Sequence, residues 1–306
     1  MDIWLQPTLR FLQYVLLLGL FGWAGFRAVG LGTADWMPER SDRTTAIIAA
    51  ALAPLVSAVL MLASIAAMMG QPLTTLDWPM IESMTLSTGI GWAFMARTAL
   101  LVAGLLALII GRSAGVSIAA LCFAAALLTL GWSGHAAATE GALGWLHRLG
   151  NGVHLLAAGL WIGAIGWFAH LTAVAHREPG RLSALPLLTL MHRFAPLGVA
   201  LIVTVSITGL LNAQLTFGIE NSAATSTTNY GLLLAAKIAI VGGMLAFGAH
   251  NAWVCRRSVG ANAGTDQSKG AALSSLRRSL AIELTLGIVV IGLVAILGML
   301  SPMFME

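Results

Sequence analysis

Apolar runs of nearly constant length recur from one end of this 306-residue chain to the other. Each is close to the ~20 residues that an α-helix needs to cross the hydrocarbon of a bilayer. Inside hydrocarbon a backbone must satisfy its own polar groups, so such runs fold as helices packed side by side. The expected fold is an all-α membrane protein, a polytopic bundle of eight transmembrane helices at about 9–31, 45–69, 91–111, 115–135, 146–169, 190–216, 230–254 and 279–301. Charged residues make up 9% of the chain, against roughly 25% in an average soluble domain, so residues 1–306 read as a single transmembrane domain. The longest connections fall near 70–90, 170–189 and 255–278, and the small polar stretch Gly260–Gly270 reads as a mobile loop. No internal repeat stands out.

Arginine placement orients the bundle. The loops after helices 1, 3, 5 and 7, with their flanks, hold Arg40, Arg43, Arg112, Arg177, Arg181, Arg193, Arg256, Arg257, Lys269, Arg277 and Arg278. The opposite side holds Arg10 and Arg148. Positive loops stay cytoplasmic, so both termini are expected to face away from the cytoplasm. The same rule explains the net charge of +4, which in a soluble chain would point to nucleic acid. Trp4, Trp78, Trp92, Trp132 and Trp145 then fall at the outer interface, as an aromatic belt does. The N-terminal apolar run has no A-x-A-like cleavage site and reads as an uncleaved first span.

Three of the seven histidines gather at the outer ends of helices 4 and 5, in the stretch GWSGHAAATEGALGWLHRLGNGVHLLAAGLWIG. Imidazole is costly near hydrocarbon, so His135, His147 and His154 are candidate functional residues. His147 and His154 are seven apart and share a helix face, which Trp161 continues. Seven residues rise ~10 Å at 1.5 Å each, too far for one ion with bonds of ~2 Å to nitrogen. Two stations in a path fit this spacing better than one chelate, and His154 with His135 is the more plausible direct pair. The plainer reading is that each ring bonds a carbonyl or a neighbouring helix, a common contact in membranes. His192 and His250 fall on the cytoplasmic side.

Methionine placement is the second signal. Met68, Met69, Met80, Met84, Met95, Met299, Met303 and Met305, eight of thirteen, fall at or beyond the outer face. Met80/Met84 and Met299/Met303 are each four apart, so each pair faces one way if its segment is helical. Thioether favours Cu(I), while imidazole takes copper in either oxidation state. Taken singly, each methionine is as well explained as an adaptable filler at a helix end. Cys122 and Cys255 sit at different depths with no Cys-x-x-Cys, which leaves His, Met or carboxylate for metal chemistry.

Arg97, Lys237 and Glu283 are charges inside predicted spans and should face the bundle interior. A Lys237–Glu283 pair requires adjacent helices. Gly159 and Gly163 flank Trp161 as a Gly-x-x-x-Gly, a packing signal. There is no Walker loop, dinucleotide fingerprint, His-Glu-x-x-His or nucleophile elbow, so the chain is not expected to be an enzyme.

Several segments resemble the copper resistance protein D family (CopD/PcoD) of bacterial copper-handling operons. They are SGHAA at 133–137, HLLAAGLWIGAI at 154–165, HRFAPLGVALIVTVSITGLLNA at 192–213, NYGLLLAAKIAIVGGMLAFGAHN at 229–251 and LRRSLAIELTLGIVVIGLVAILG at 276–298. The resemblance therefore lies within about 133–298, and helices 1 to 3 match in hydropathy and length alone. It implies copper movement across the inner membrane, commonly uptake from periplasm to cytoplasm, beside a small periplasmic copper-binding donor protein. It marks His135, His154, Trp161, Asn212, Lys237 and Glu283 as motif positions. In that membrane both termini would be periplasmic.

The combined expectation is a copper transporter in which Met80, Met84, Met299 and Met303 form a soft outer collar. His147, His135 and His154 then carry copper inward, with His192 or His250 receiving it. Two rivals stand beside it: a haem-binding membrane redox protein, because histidines on neighbouring helices ligate haem, and a non-transporting membrane partner of a periplasmic copper chaperone.

Overall fold

The computed structural model describes residues 4–29, 39–111, 114–178, 180, 182–259 and 266–302. Among them, eight helices are long and apolar enough to cross a membrane. They are α1 (Leu5–Ala28), α2 (Glu39–Met68), α4 (Gly89–Ile110), α5 (Gly115–Leu128), α7 (Gly141–Arg177), α8 (Ala184–Phe217), α10 (Asn229–Val259) and α11 (Asp266–Leu297). Three short helices join them: α3 (Trp78–Ser87), α6 (His135–Ala138) and α9 (Ser222–Thr225). No strand occurs among the described residues. The chain is a multi-pass, all-α membrane protein.

Every expected span is present, but several helices run past their apolar windows. α7 and α8 extend well beyond the expected 146–169 and 190–216. Hydropathy marks the hydrocarbon, whereas the backbone ladder continues through the polar interface that the flanking residues occupy. The Gly260–Gly270 loop is in part helical, since α11 begins at Asp266; residues 260–265 lie outside the described residues. Arg112 and Arg181, two of the orienting arginines, also lie outside them. The 70–90 connection holds α3, which Asp77 caps by accepting from the Met80 N–H at 3.1 Å. Pro79 in its first turn lacks the N–H that the turn would leave unpaired.

α1 and α7 form the seam of the bundle. On one side α1 packs α2 and α5, with α4 behind them, around Leu17, Leu101, Phe123 and Leu127. On the other, α7 packs α8 and α11, with α10 against both, around Leu171, Leu187, Leu188 and Leu276. Phe26 of α1 reaches into that second core and stacks edge-on against Phe168, with ring centroids 5.5 Å apart. The seam is tight because glycine meets glycine: a Cβ on Gly22 would lie 2.5 Å from the Gly159 carbonyl oxygen and 2.8 Å from the Gly163 Cα. The Gly-x-x-x-Gly of α7 is thus the seat for α1. Outward-facing Val199, Val203, Ile207 and Leu210 of α8 meet lipid, where apolar exposure carries no cost.

Arg97 is buried on α4 and answered by a hydroxyl, not an anion. Its Nε donates to Thr129 Oγ1 at 2.8 Å, while that hydroxyl donates to the Ala126 carbonyl at 2.7 Å. The second bond fixes the hydroxyl proton, leaving its lone pairs for the guanidinium. Thr129→Val is expected to lower stability by about 2 kcal/mol, the worth of a hydrogen bond to a charged group. Thermal unfolding in detergent measures this, and a melt equal to wild type would show that Arg97 finds another acceptor.

Candidate metal centre

One end of the bundle collects the starts of α1, α4, α7 and α10 with the ends of α2, α5, α8 and α11. It is pinned by long-range bonds: Gln6 Nε2 donates to the Ala63 carbonyl at 3.0 Å, and His135 Nε2 to that of Leu297 at 3.1 Å. The opposite end carries most of the described basic residues, and there Arg43 Nε donates to the Leu108 carbonyl at 3.2 Å. We call these the histidine end and the arginine end.

The segment between α5 and α7 builds the histidine end. Gly134 has φ of +70°, a left-handed turn that a side chain resists, and it swings His135 off the span onto the separate turn α6. His135 is therefore not the last residue of a membrane helix, as its sequence position suggested. Arg148 braces this turn. Its guanidinium lies 5.8 Å from the Trp132 ring and 5.7 Å from that of Trp145, and the two indoles meet edge to face.

Behind the turn lies a cavity of about 210 Å³ at the seam, bounded by α1, α7, α8, α10 and α11. His135, His147 and His154 all line it, together with Asn212 and Lys237. Among the described residues, no three of His, Cys, Asp and Glu converge tightly enough to chelate one ion. His135 lies within electrostatic reach of His147, whereas the charged neighbour of His154 is Lys237.

Hydrogen bonding decides the state of two of these rings. His154 Nδ1 lies 3.0 Å from Thr208 Oγ1, which spends its own proton on the Thr204 carbonyl at 2.6 Å. Thr208 can therefore only accept, so Nδ1 carries the hydrogen and Nε2 keeps a free lone pair. His135 is the mirror case in its contact: its Nε2 faces a carbonyl that only accepts, so Nε2 carries a hydrogen and Nδ1 is the nitrogen left for a ligand. His147 Nδ1 meets Thr139 Oγ1 at 2.9 Å, and its ring is 2% exposed. An imidazole whose one nitrogen is held by the protein and whose other is free is the usual form of a metal-ligating histidine. Asn212 Oδ1, buried in the same wall, has no hydrogen-bond partner.

Among the described residues the cavity wall includes Arg10 and Lys237 but no carboxylate. Glu283 lines a second cavity nearer the arginine end, so the two intramembrane charges do not meet. Trp161, which continues the histidine stripe in sequence, also faces that second cavity. No described methionine lines the first one. Met80 and Met84 are half-buried on α3, and Met299 is 41% exposed in the turn after α11. Met303 and Met305 lie outside the described residues. α11 ends at Leu297, which leaves Met299 in the turn beyond it. His192 is half-buried on α8, and exposed His250 reaches Ser275 Oγ at 3.4 Å.

Known proteins now bear on this geometry. The family model for the N-terminal domain of copper resistance protein D-like proteins matches residues 1–145, and the model for copper resistance protein D matches residues 188–297. The copper resistance protein D of Pseudomonas syringae pv. tomato is 30% identical over 312 residues, covering 97% of this chain and 97% of that protein. The chain belongs to the copper resistance protein D family. No solved structure matches it. Family membership carries a role in copper resistance and homeostasis, and makes copper the ion to weigh at the cavity. Similarity to copper resistance protein D also reaches the first three spans, where the sequence reading found only hydropathy. His135 falls inside the first matched region, while His147 and His154 lie between the two.

Thr208 was missed at the sequence level, as a threonine on an apolar helix among other apolar residues. Its distance of 54 residues from His154 left no local signal. Cys255 was set aside for want of a partner cysteine, yet it lines the second cavity with Met191 and Glu283.

Proposed function

We propose that the protein carries copper across the bacterial inner membrane, from periplasm to cytoplasm, as a carrier and not an enzyme. The observation that supports this best is a pair of contacts: His135 and His154 line one cavity at the seam, and each has one ring nitrogen held by an acceptor and the other left for a ligand. The histidine end is the periplasmic end, because the arginines gather at the other. His135 and His147 receive copper and His154 passes it inward.

Arg10 and Lys237, with no carboxylate among the described residues of the cavity wall, oppose a naked cation. Delivery by ligand exchange from a periplasmic donor protein fits this field better than capture of the free ion. Neutral imidazoles hold copper weakly enough to release it, as conduction requires. Met80, Met84 and Met299 stand at the same end but outside the cavity, where a docked donor would meet them. A volume of about 210 Å³ falls below the ~300–1,000 Å³ of pockets that enclose drug-sized ligands, which favours an ion over haem.

Copper accumulation in cells and in proteoliposomes tests the reading. The combined His135→Ala, His154→Ala variant is expected to fall to the level of empty vesicles, with no Soret band in any preparation. Uptake equal to wild type would remove the histidine path.

A further inference from the structure

The second cavity has about 280 Å³, lies between α7, α8, α10 and α11, and is almost wholly apolar. Its exceptions are chemically pointed. Cys255 is 1% exposed, Met191 7% and Glu283 2%, and all three line it. Asn251, one helical turn before Cys255, donates through Nδ2 to Glu283 Oε2 at 3.0 Å. Asn251 itself is 7% exposed and lines the cavity, yet its Oδ1 has no hydrogen-bond partner. Among the described residues Glu283 is in no ion pair, and its polar contact is the amide bond from Asn251. A carboxylate at that depth calls for a cation beside it.

Thiol, thioether and carboxylate around one space are a donor set of a definite kind. Soft sulfur ligands select Cu(I). A carboxylate that takes up the thiol proton leaves a thiolate, whose single negative charge is what Cu(I) needs in a low-dielectric setting. A further thioether is buried nearby: Met244 is 2% exposed, and its Cε and the Cγ1 of Ile162 lie 3.5 and 4.0 Å from where a Cβ on Gly287 would stand. Ile162 lines the histidine cavity and Trp161 the second one, so a single step along α7 separates them.

We infer that Cys255, Met191 and Glu283 form a second, sulfur-containing Cu(I) site between the histidine cavity and the arginine end. This rests on the copper-carrier reading for its ion, but not on the histidine path. Loading balances without any redox step. Cys255 binds as thiolate, its proton passes to Glu283, and the neutral pair replaces one carboxylate and one free Cu(I). Met191 adds a neutral thioether.

The test uses the full chain in detergent, titrated anaerobically with Cu(I), in a His135→Ala, His154→Ala background that disables the first cavity. One equivalent should still bind, with sulfur in its shell by X-ray absorption. Adding Cys255→Ala, or Met191→Leu, should each weaken that binding at least about tenfold, the lower bound even for outer-shell changes at metal sites. Both substitutions keep the site apolar, and elution as a single species shows that each variant folds. Copper bound through nitrogen and oxygen alone, or affinity unmoved by Cys255→Ala, would overturn the inference. Sulfur-ligated copper together with wild-type uptake in the histidine variant would support this site while removing the histidine path.

Discussion

A valine at position 163 is expected to prevent the bundle from assembling. A Cβ on Gly163 would lie 2.5 Å from the Gly22 Cα and 2.6 Å from its carbonyl carbon. Both are backbone atoms of α1, so no rotamer change relieves the overlap and the whole helix must retreat from α7. Overpacking costs about 1–3 kcal/mol where side chains absorb it, and more where backbone must move. The loss reaches the metal centre too, because Arg10, Tyr14 and Leu18 of α1 line the histidine cavity. Gly166→Ala is the matched control, since its nearest neighbour is a Leu284 methyl at 3.9 Å. Expression, elution profile and thermal unfolding read the outcome. A Gly163→Val protein that elutes and melts like wild type would mean that α1 and α7 are not in contact at this point.

Removing His154 should abolish copper transfer, and altering Thr208 should weaken it in a way that identifies the tautomer as the cause. Thr208 Oγ1 gives its proton to the Thr204 carbonyl and so accepts from His154 Nδ1. Valine has nearly the same shape but neither accepts nor donates, which leaves the Val205 backbone as the ring's remaining hydrogen-bond partner and loosens the hold on Nδ1. Outer partners of metal-bound histidines contribute about 10–100-fold in affinity, and that is the expected loss in Cu(I) affinity for Thr208→Val. Thr208→Ser retains the hydroxyl and should stay within a few-fold of wild type. In the His154→Ala background the threonine change should add nothing further. Equal losses for serine and valine would point to packing, and an effect persisting without His154 would separate Thr208 from the metal.

The line between legible and illegible runs through individual residues. The eight spans were readable because hydrocarbon tolerates one backbone solution, and their lengths follow from its thickness. α3 was missed although Asp77 and Pro79 spell a helix start, because the search was for apolar runs. The histidine cluster was legible from composition, since imidazole is rare at such depth. The methionine bias toward one end was legible too, but the described methionines stand outside the cavity. A side of the membrane is a coarser thing than a wall of a cavity.

From sequence alone came the fold class, the expected direction of insertion and the family, each set by local composition or by the order of short motifs. Tertiary structure alone decided which donors share a space. Lys237 and Glu283, plausible partners in sequence, line separate cavities. His154 gains its free lone pair from a threonine on another helix, and Cys255 gains Met191 and Glu283 as neighbours. Periodicity tells which face a side chain takes on its own helix. Which faces of different helices meet depends on how closely the backbones approach, and here that was decided where Gly22 met Gly163.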